Sequence, residues 1–281
     1  VKIVFVSDFF LSDLPYGGGA EFNDDQLVKA LREQKVEVEH YRSNNLSSEI
    51  VENNKESLFI ISNFLNIQPQ IKDFIQRNVK YIIYEHDHKY LKNKNPLFYK
   101  DFKAPKTQIC NYDFYKNAKY VFCQSIFHKN IIDKNLEMFN TFNVSGNLWK
   151  KEDLLFMKKI SKDLNKKDVC SILHSPLWNK NTKGAMEHCV RSGMEYELVA
   201  DKDYKSFLRK MCGNSKFVFL PRSPETLSRV CVEAKMLGCK IHINKLVGAN
   251  YEKWFKKSGD EIIEYMMNID KKIINKIKEV L

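Results

Sequence analysis

Short apolar runs alternate with helix-length amphipathic patterns along this chain, and that rhythm leaves few folds open. The clearest stretch is Phe217-Val218-Phe219-Leu220, then a helical pattern through Leu227, Val230, Val232, Ala234 and Leu237, then Ile241-His242-Ile243. Runs this short and this apolar mark strands buried on both faces, which occur in parallel sheets covered by helices. A strand–helix alternation sustained from end to end predicts an α/β fold with mainly parallel sheets.

The same pattern predicts strands near 1–6, 36–41, 57–61, 80–84, 119–123 and 141–145, then near 168–173, 195–200, 216–220 and 240–244. Helices are expected over 20–34, 68–78, 111–117, 125–137, 183–192, 203–212, 225–238, 251–257 and 260–279. The charged stretch 148–167 is poor in strand formers, which divides the chain into residues 1–150 and 151–281. At 281 residues there is material for two cores of about 140 residues each.

Two carboxylates stand out in the segment SPETLSRVCVEAKMLGCKIHI. Glu225 and Glu233 have seven residues between them. On a helix from 225 to 238, closed by Gly238, they lie about two turns, ~12 Å, apart on roughly one side. Glu225 then sits at the helix start, and the amides of Thr226, Leu227 and Ser228 face outward as an anion site. Hydroxyl-binding carboxylates at both ends with an anion site in the middle suit a nucleotide-sugar. In open α/β sheets, ligands bind beyond the carboxyl ends of the strands.

These residues resemble the E-x7-E signature of retaining glycosyltransferases of the two-Rossmann (GT-B) architecture, particularly family 4. Three more segments fit: Gly17-Gly18-Gly19-Ala20-Glu21 after the first strand, Val144-Ser145-Gly146-Asn147 between the halves, and Lys183-Gly184 after the strand-like Val169–Leu173. The resemblance implies two Rossmann-like domains facing across a cleft. Residues 1–150 would take the acceptor and 151–281 the nucleotide-sugar donor.

It also implies roles. Glu233 binds the ribose hydroxyls, Glu225 the hydroxyls of the transferred sugar, and Lys183 with the amides of Thr226, Leu227 and Ser228 the diphosphate. Gly18 and Gly19 let backbone approach the donor. The family usually carries an Arg five or six residues before the lysine; Leu177 and Trp178 stand there instead, with Lys180 or Arg222 as substitutes. Tyr84-Glu85-His86-Asp87-His88 ends a strand-like run and resembles the segment whose histidine contacts the donor sugar. His86 is preferred there, and His88 is assigned to the acceptor side. Asp8 and Asp13, flanking the glycine loop, are candidates to take an acceptor proton. Retention of configuration rests on the resemblance alone. No third ligand accompanies His86 and His88, so no metal and no cofactor is expected.

Lys89 to Lys106 reads KYLKNKNPLFYKDFKAPK, six lysines interleaved with aromatic and aliphatic residues. Such a loop suits an anionic or saccharide acceptor, with Lys92 and Lys94 as contacts, or a peripheral membrane or nucleic-acid surface. The net charge of +11 favours anionic partners. It also motivates an alternative: a nucleic-acid-binding protein on a degenerate transferase scaffold, or a transferase acting on modified DNA bases. The seven cysteines form no CxxC pair and fall mostly in apolar stretches, as buried thiols do in a reducing compartment. No apolar run approaches a membrane span, so the expected location is the cytoplasm.

Overall fold

The computed structural model describes residues 2–14, 17–162 and 165–281. Val1, at the head of the expected first strand, lies outside the described residues. The chain forms two compact units, Val1–Leu148 with Ile269–Leu281, and Trp149–Asn268.

The first unit carries β1 (Lys2–Ser7), β2 (Glu37–Arg42), β3 (Leu58–Ile61), β4 (Lys80–Glu85), β5 (Tyr120–Cys123) and β6 (Thr141–Asn143). Their order is β2-β1-β3-β4-β5-β6 and the pairings are parallel. Phe59, Ile60 and Ile61 have no exposed surface, as a strand covered on both faces requires. Helices α1 (Gly19–Glu33), α2 (Ser48–Asn53), α3 (Pro69–Asn78), α4 (Tyr112–Lys116) and α5 (Ile126–Leu136) connect them. Their starts are chemically marked: Pro69 opens α3, and Ser47 and Ser125 accept the amides of Ile50 and His128.

The second unit carries β7 (Lys167–Leu173), β8 (Tyr196–Val199), β9 (Asn214–Phe219) and β10 (Lys240–Ile243), in the parallel order β10-β9-β7-β8. Its helices are α6 (Lys151–Ile160), α7 (Thr182–Arg191), α8 (Tyr204–Cys212), α9 (Arg229–Met236) and α10 (Asp260–Met266). The ten strands expected from the apolar runs all form, each within two residues of its expected ends.

The helices depart more. α2 and α6 were not expected; α6 lies inside the lysine-rich stretch, where Leu154 and Met157 are spaced to bury one narrow stripe. The expected helix over 251–257 is two 3-10 turns, Gly248–Tyr251 and Lys253–Lys256, with extended backbone at Glu252. So short a segment gains too few bonds to offset helix nucleation. The expected helix over 260–279 breaks after Met266, and a separate α11 (Ile269–Lys278) follows. Ile262, Ile263 and Met266 of α10 are buried with the second unit's core. α11 belongs to the first unit, where Lys272 donates to the carbonyls of Asn143 and Val144 and the Lys276 ammonium lies 4.0 Å from the centre of the Tyr120 ring.

Candidate functional site

In each sheet the strand order reverses at one strand, and that is where open α/β sheets leave a crevice. In the second unit the reversal falls between β7 and β9. The loops leaving these strands, 174–181 and 220–228, are tied together. Asn181 Nδ2 donates to the Leu220 carbonyl at 2.7 Å, and the Arg222 amide to the Asn179 carbonyl at 2.8 Å. Asn181 sits in the left-handed region (φ 54°) and its Oδ1 accepts the Gly184 amide, capping α7. A Cβ at Gly184 would fall 2.4 Å from the Asn181 amide, so the glycine is what admits this cap. Thr182 Oγ1 donates to the Leu173 carbonyl and fastens the helix start to the end of β7.

These loops, with α7 and β8, border an open cavity of about 340 Å³ whose lining includes His174, Trp178, Lys183, Met186, Leu198 and Arg222. The Lys183 side chain is 84% exposed, and its ion-pair partner among the described residues is Glu187 at a distant 4.0 Å. The Arg222 guanidinium lies over the Trp178 ring at 5.5 Å, a cation–π contact that orients it. A lysine and an arginine thus reach one cavity with little carboxylate compensation, an arrangement suited to a phosphate-bearing ligand.

The two signature carboxylates are placed differently from the expectation. Glu225 is not on a helix. It forms a parallel bridge with Val247: its amide donates to the Leu246 carbonyl, and its carbonyl accepts the Gly248 amide. The Leu227 carbonyl accepts from Ala249, Ser228 is left-handed (φ 76°), and α9 begins only at Arg229. Thr226 and Leu227 therefore precede the helix instead of opening it, and Ser228 stands at its N-cap. Pairing with residues 246–249 holds this segment extended, an interaction no local propensity announces. The Glu225 carboxylate is held by Lys180 Nζ at 2.8 and 3.0 Å, so Lys180 is committed to Glu225 rather than reaching the cavity as a bare cation.

Glu233 is on α9 and is 4% exposed. Its Oε1 accepts from Trp149 Nε1 at 2.9 Å and from the Tyr204 hydroxyl at 2.7 Å, with Arg229 Nε at 3.7 Å. Burial, reinforced by this carboxylate, pushes the Tyr204 phenol well above its ordinary pKa. The Arg229 guanidinium covers the Trp149 ring at 4.1 Å. This carboxylate ties α8 and α9 to the segment that precedes α6.

In the first unit the reversal falls between β1 and β3, and polar side chains near these strand ends are bonded within the unit. Asp8 accepts from the Ser43 hydroxyl and from the amides of Leu65 and Asn66, both at 3.1 Å. Asp13 is paired with Arg42, which holds its carboxyl below the usual range. Neither is poised to take an acceptor proton. His86 is buried; its Nε2 is 2.8 Å from Asp24 Oδ1, and its Nδ1 is paired with the Gln124 amide. Ser62 donates to the other Asp24 oxygen. Sequence reasoning misses Asp24, yet it lies on the buried stripe with Leu27, Val28 and Leu31, and a carboxylate in an apolar stripe is a signal.

His88 is buried beside Tyr90 and His128, and burial, then the neighbouring imidazole, depresses its pKa well below the ordinary value. Burial brings His128 down to about 4. Both imidazoles are neutral near pH 7. Gly18 caps α1, and the Glu21 carboxylate reaches back to its amide at 3.0 Å. The GGAE segment thus brings its own anion to that helix start. A Cβ at Gly18 would sit 2.8 Å from this carboxylate. Gly19 begins the helix; Lys92 and Lys94 are exposed. Among the described residues no three His, Cys, Asp or Glu side chains gather as a metal-ligand set, and no helix is long and apolar enough to cross a membrane.

No family model matches the chain, and no curated protein does. Among solved structures it is similar to the catalytic domain of Arabidopsis thaliana starch synthase IV bound to ADP and acarbose, with 9% identity over 95% of this chain and 90% of that one and a TM-score of 0.57. It is similar to Anabaena HepE in complex with UDP, with 14% identity, 100% and 92% coverage and a TM-score of 0.53. For HepE with UDP and glucose the values are 14%, 97%, 89% and 0.51. At these identities the likeness is one of fold: the chain is an α/β protein with two mainly parallel, Rossmann-like sheets, the GT-B architecture.

Proposed function

We propose that this protein is a glycosyltransferase that moves a sugar from a nucleoside-diphosphate sugar to an acceptor, with the donor diphosphate held in the second unit. One observation carries the reading: Lys183 and Arg222 line a single cavity at the carboxyl ends of β7 and β9. Its volume suits a bound small molecule. The neighbours of known structure hold UDP or ADP on the same fold, which supports a nucleotide as ligand.

In this reading the guanidinium that the family-4 pattern places before its lysine arrives from another loop. Leu177 and Trp178 occupy the usual position, and Trp178 supports Arg222 instead. Lys183 and Arg222 stabilise charge on the departing diphosphate, as preorganised cations do. Glu225, oriented by Lys180, accepts hydroxyls of the transferred sugar. Glu233 acts as a positioning residue through Trp149 and Tyr204 rather than as a ribose ligand. The first unit takes the acceptor, with the exposed Lys92 and Lys94 as contacts.

Retention and metal independence are the finer parts of the proposal. Asp8 and Asp13, the candidate bases, are each bonded into the fold. That supports a front-face route in which the leaving phosphate takes the acceptor proton. Seven free cysteines, six of them buried, support a reducing compartment such as the cytoplasm.

Thermal-shift titration with UDP, GDP, ADP and their sugars tests the reading, because a ligand that binds the native state raises its melting temperature. One nucleotide class is expected to do so, and the shift should vanish in Lys183→Ala/Arg222→Ala. If no nucleotide stabilises the protein while duplex DNA binds with steep salt dependence, the nucleic-acid alternative replaces the transferase.

A further inference from the structure

We infer that the loop 91–109 of the first unit is a docking element for an anionic lipid surface, an inference independent of the transferase reading. The loop leaves and returns at one point. Leu91 and Ile109 form an antiparallel bridge, the Lys92 amide donates to the Gln108 carbonyl, and the Cys110 amide to the Tyr90 carbonyl. The loop is closed at its neck and held by its own side chains and by α5. Tyr90, Leu91, Pro96 and Ala104 are buried and anchor it. Asn135 of α5 bonds the Ala104 amide and the Phe102 carbonyl, and Asn93 Nδ2 donates to the Tyr99 hydroxyl.

Three non-glycine residues of this loop, Lys94, Asp101 and Phe102, hold φ between 52° and 62°. Such backbone is unfavourable for residues with a side chain, so the shape is imposed by its anchors. That shape points two apolar side chains outward. Phe98 is 69% and Leu97 39% exposed, although Pro96 beside them is buried. Phe139 is 103% exposed, two residues beyond Glu137, which pairs with Lys103 of the loop.

The same loop carries the cations. Of the six lysines between 89 and 106, Lys89 is buried against Glu85. Lys92, Lys94, Lys100, Lys103 and Lys106 are exposed, and Asp101 is the acidic residue in that stretch. The Lys103–Glu137 pair is itself exposed and holds little energy. Exposed apolar residues and exposed lysines on one closed loop are complementary to an anionic interface, where apolar groups enter the acyl boundary and ammonium groups meet headgroups. A single-strand nucleic-acid platform would use stacked aromatics and arginine. This loop has no arginine, and the aliphatic Leu97 cannot stack.

Co-sedimentation with vesicles tests the inference. The protein is expected to pellet with vesicles of equal parts phosphatidylcholine and phosphatidylglycerol, to stay in solution with phosphatidylcholine alone, and to release as salt rises. Leu97→Ser/Phe98→Ser should lower the partition coefficient about tenfold or more. Lys92→Gln/Lys94→Gln/Lys100→Gln/Lys106→Gln should lower it by about two to three orders of magnitude. Both variants should melt like the native protein, because the altered side chains are exposed. Phe98→Trp gives a second readout: its added emission should shift to the blue on anionic vesicles. The inference is overturned if the native protein ignores anionic vesicles, if the serine variant binds them equally well, or if the emission of the Phe98→Trp variant does not move. It is also overturned, in favour of nucleic acid, if a DNA duplex binds, the serine changes leave that binding intact and vesicles do not bind.

Discussion

The two sheets reverse their strand order in the same way but treat the resulting crevice oppositely. At the ends of β1 and β3, carboxylates are buried and bonded: Asp8 to Ser43 and two amides, Asp24 to Ser62 and His86. At the ends of β7 and β9, cations line a cavity, with Lys183 largely in solvent and Arg222 resting on an exposed Trp178. Topology creates a crevice in both units; side-chain chemistry decides whether its polar groups bond to the fold or line an open cavity. Changes in the first unit should therefore cost stability, and changes in the second should cost ligand affinity.

The largest effect is expected from Asp24→Ala. It strands the Ser62 hydroxyl and the His86 imidazole in a buried setting, a loss of about 2–5 kcal/mol for two orphaned polar groups. Urea denaturation measures it; a midpoint equal to that of the native protein would mean the crevice of the first unit is not sealed as described. Lys183→Ala is the counterpart. Turnover should fall by the equivalent of about 2–4 kcal/mol in transition-state stabilisation, with the melting temperature unchanged. Donor consumption at the native rate would remove Lys183 from the site.

Protonation sharpens the same contrast. His128 is buried with its pKa brought down to about 4, and His88 is depressed in the same direction. The unfolded chain protonates both near the ordinary imidazole value of 6.5, while the folded chain resists. Stability is thus complete above about pH 6.5 and declines as pH falls from there toward about 4. His128 alone contributes about 3 kcal/mol to that decline. Denaturation at stepped pH checks this, and replacing His128 by Gln should flatten the slope between those limits. A decline confined to below about pH 4 would assign acid lability to carboxylates instead.

Glu233→Gln should cost only about 1–2 kcal/mol, because the amide oxygen still accepts from Trp149 and Tyr204 while the charge is lost. If calorimetry shows nucleotide affinity falling by more than the stability does, Glu233 is a ribose ligand after all. Smallest of all is chelation. EDTA should leave transfer unchanged, since Lys183 and Arg222 are assigned the neutralising charge. Loss of activity that Mg²⁺ or Mn²⁺ restores would transfer that role to a metal.

What the sequence by itself determined is the framework. Strands buried on both faces must be apolar along their whole length, so runs such as Phe217–Leu220 announce themselves without any partner. Lys183 at the start of α7 was expected only from the resemblance of Lys183-Gly184 to a family pair; that it lines a cavity with Arg222 comes from the fold. The tertiary structure decided what depends on distant pairing. Residues 246–249 draw Glu225 out of the helix that its neighbours favour. Lys180 takes up its carboxylate, and Trp149 and Tyr204 take up that of Glu233. Asp24 meets His86 across 62 residues of chain. Local periodicity reports which residues are buried, but it carries no information about which polar groups are buried together. A carboxylate that binds a ligand and one that binds its own fold look the same in sequence, and only the partners brought to it by the fold distinguish them.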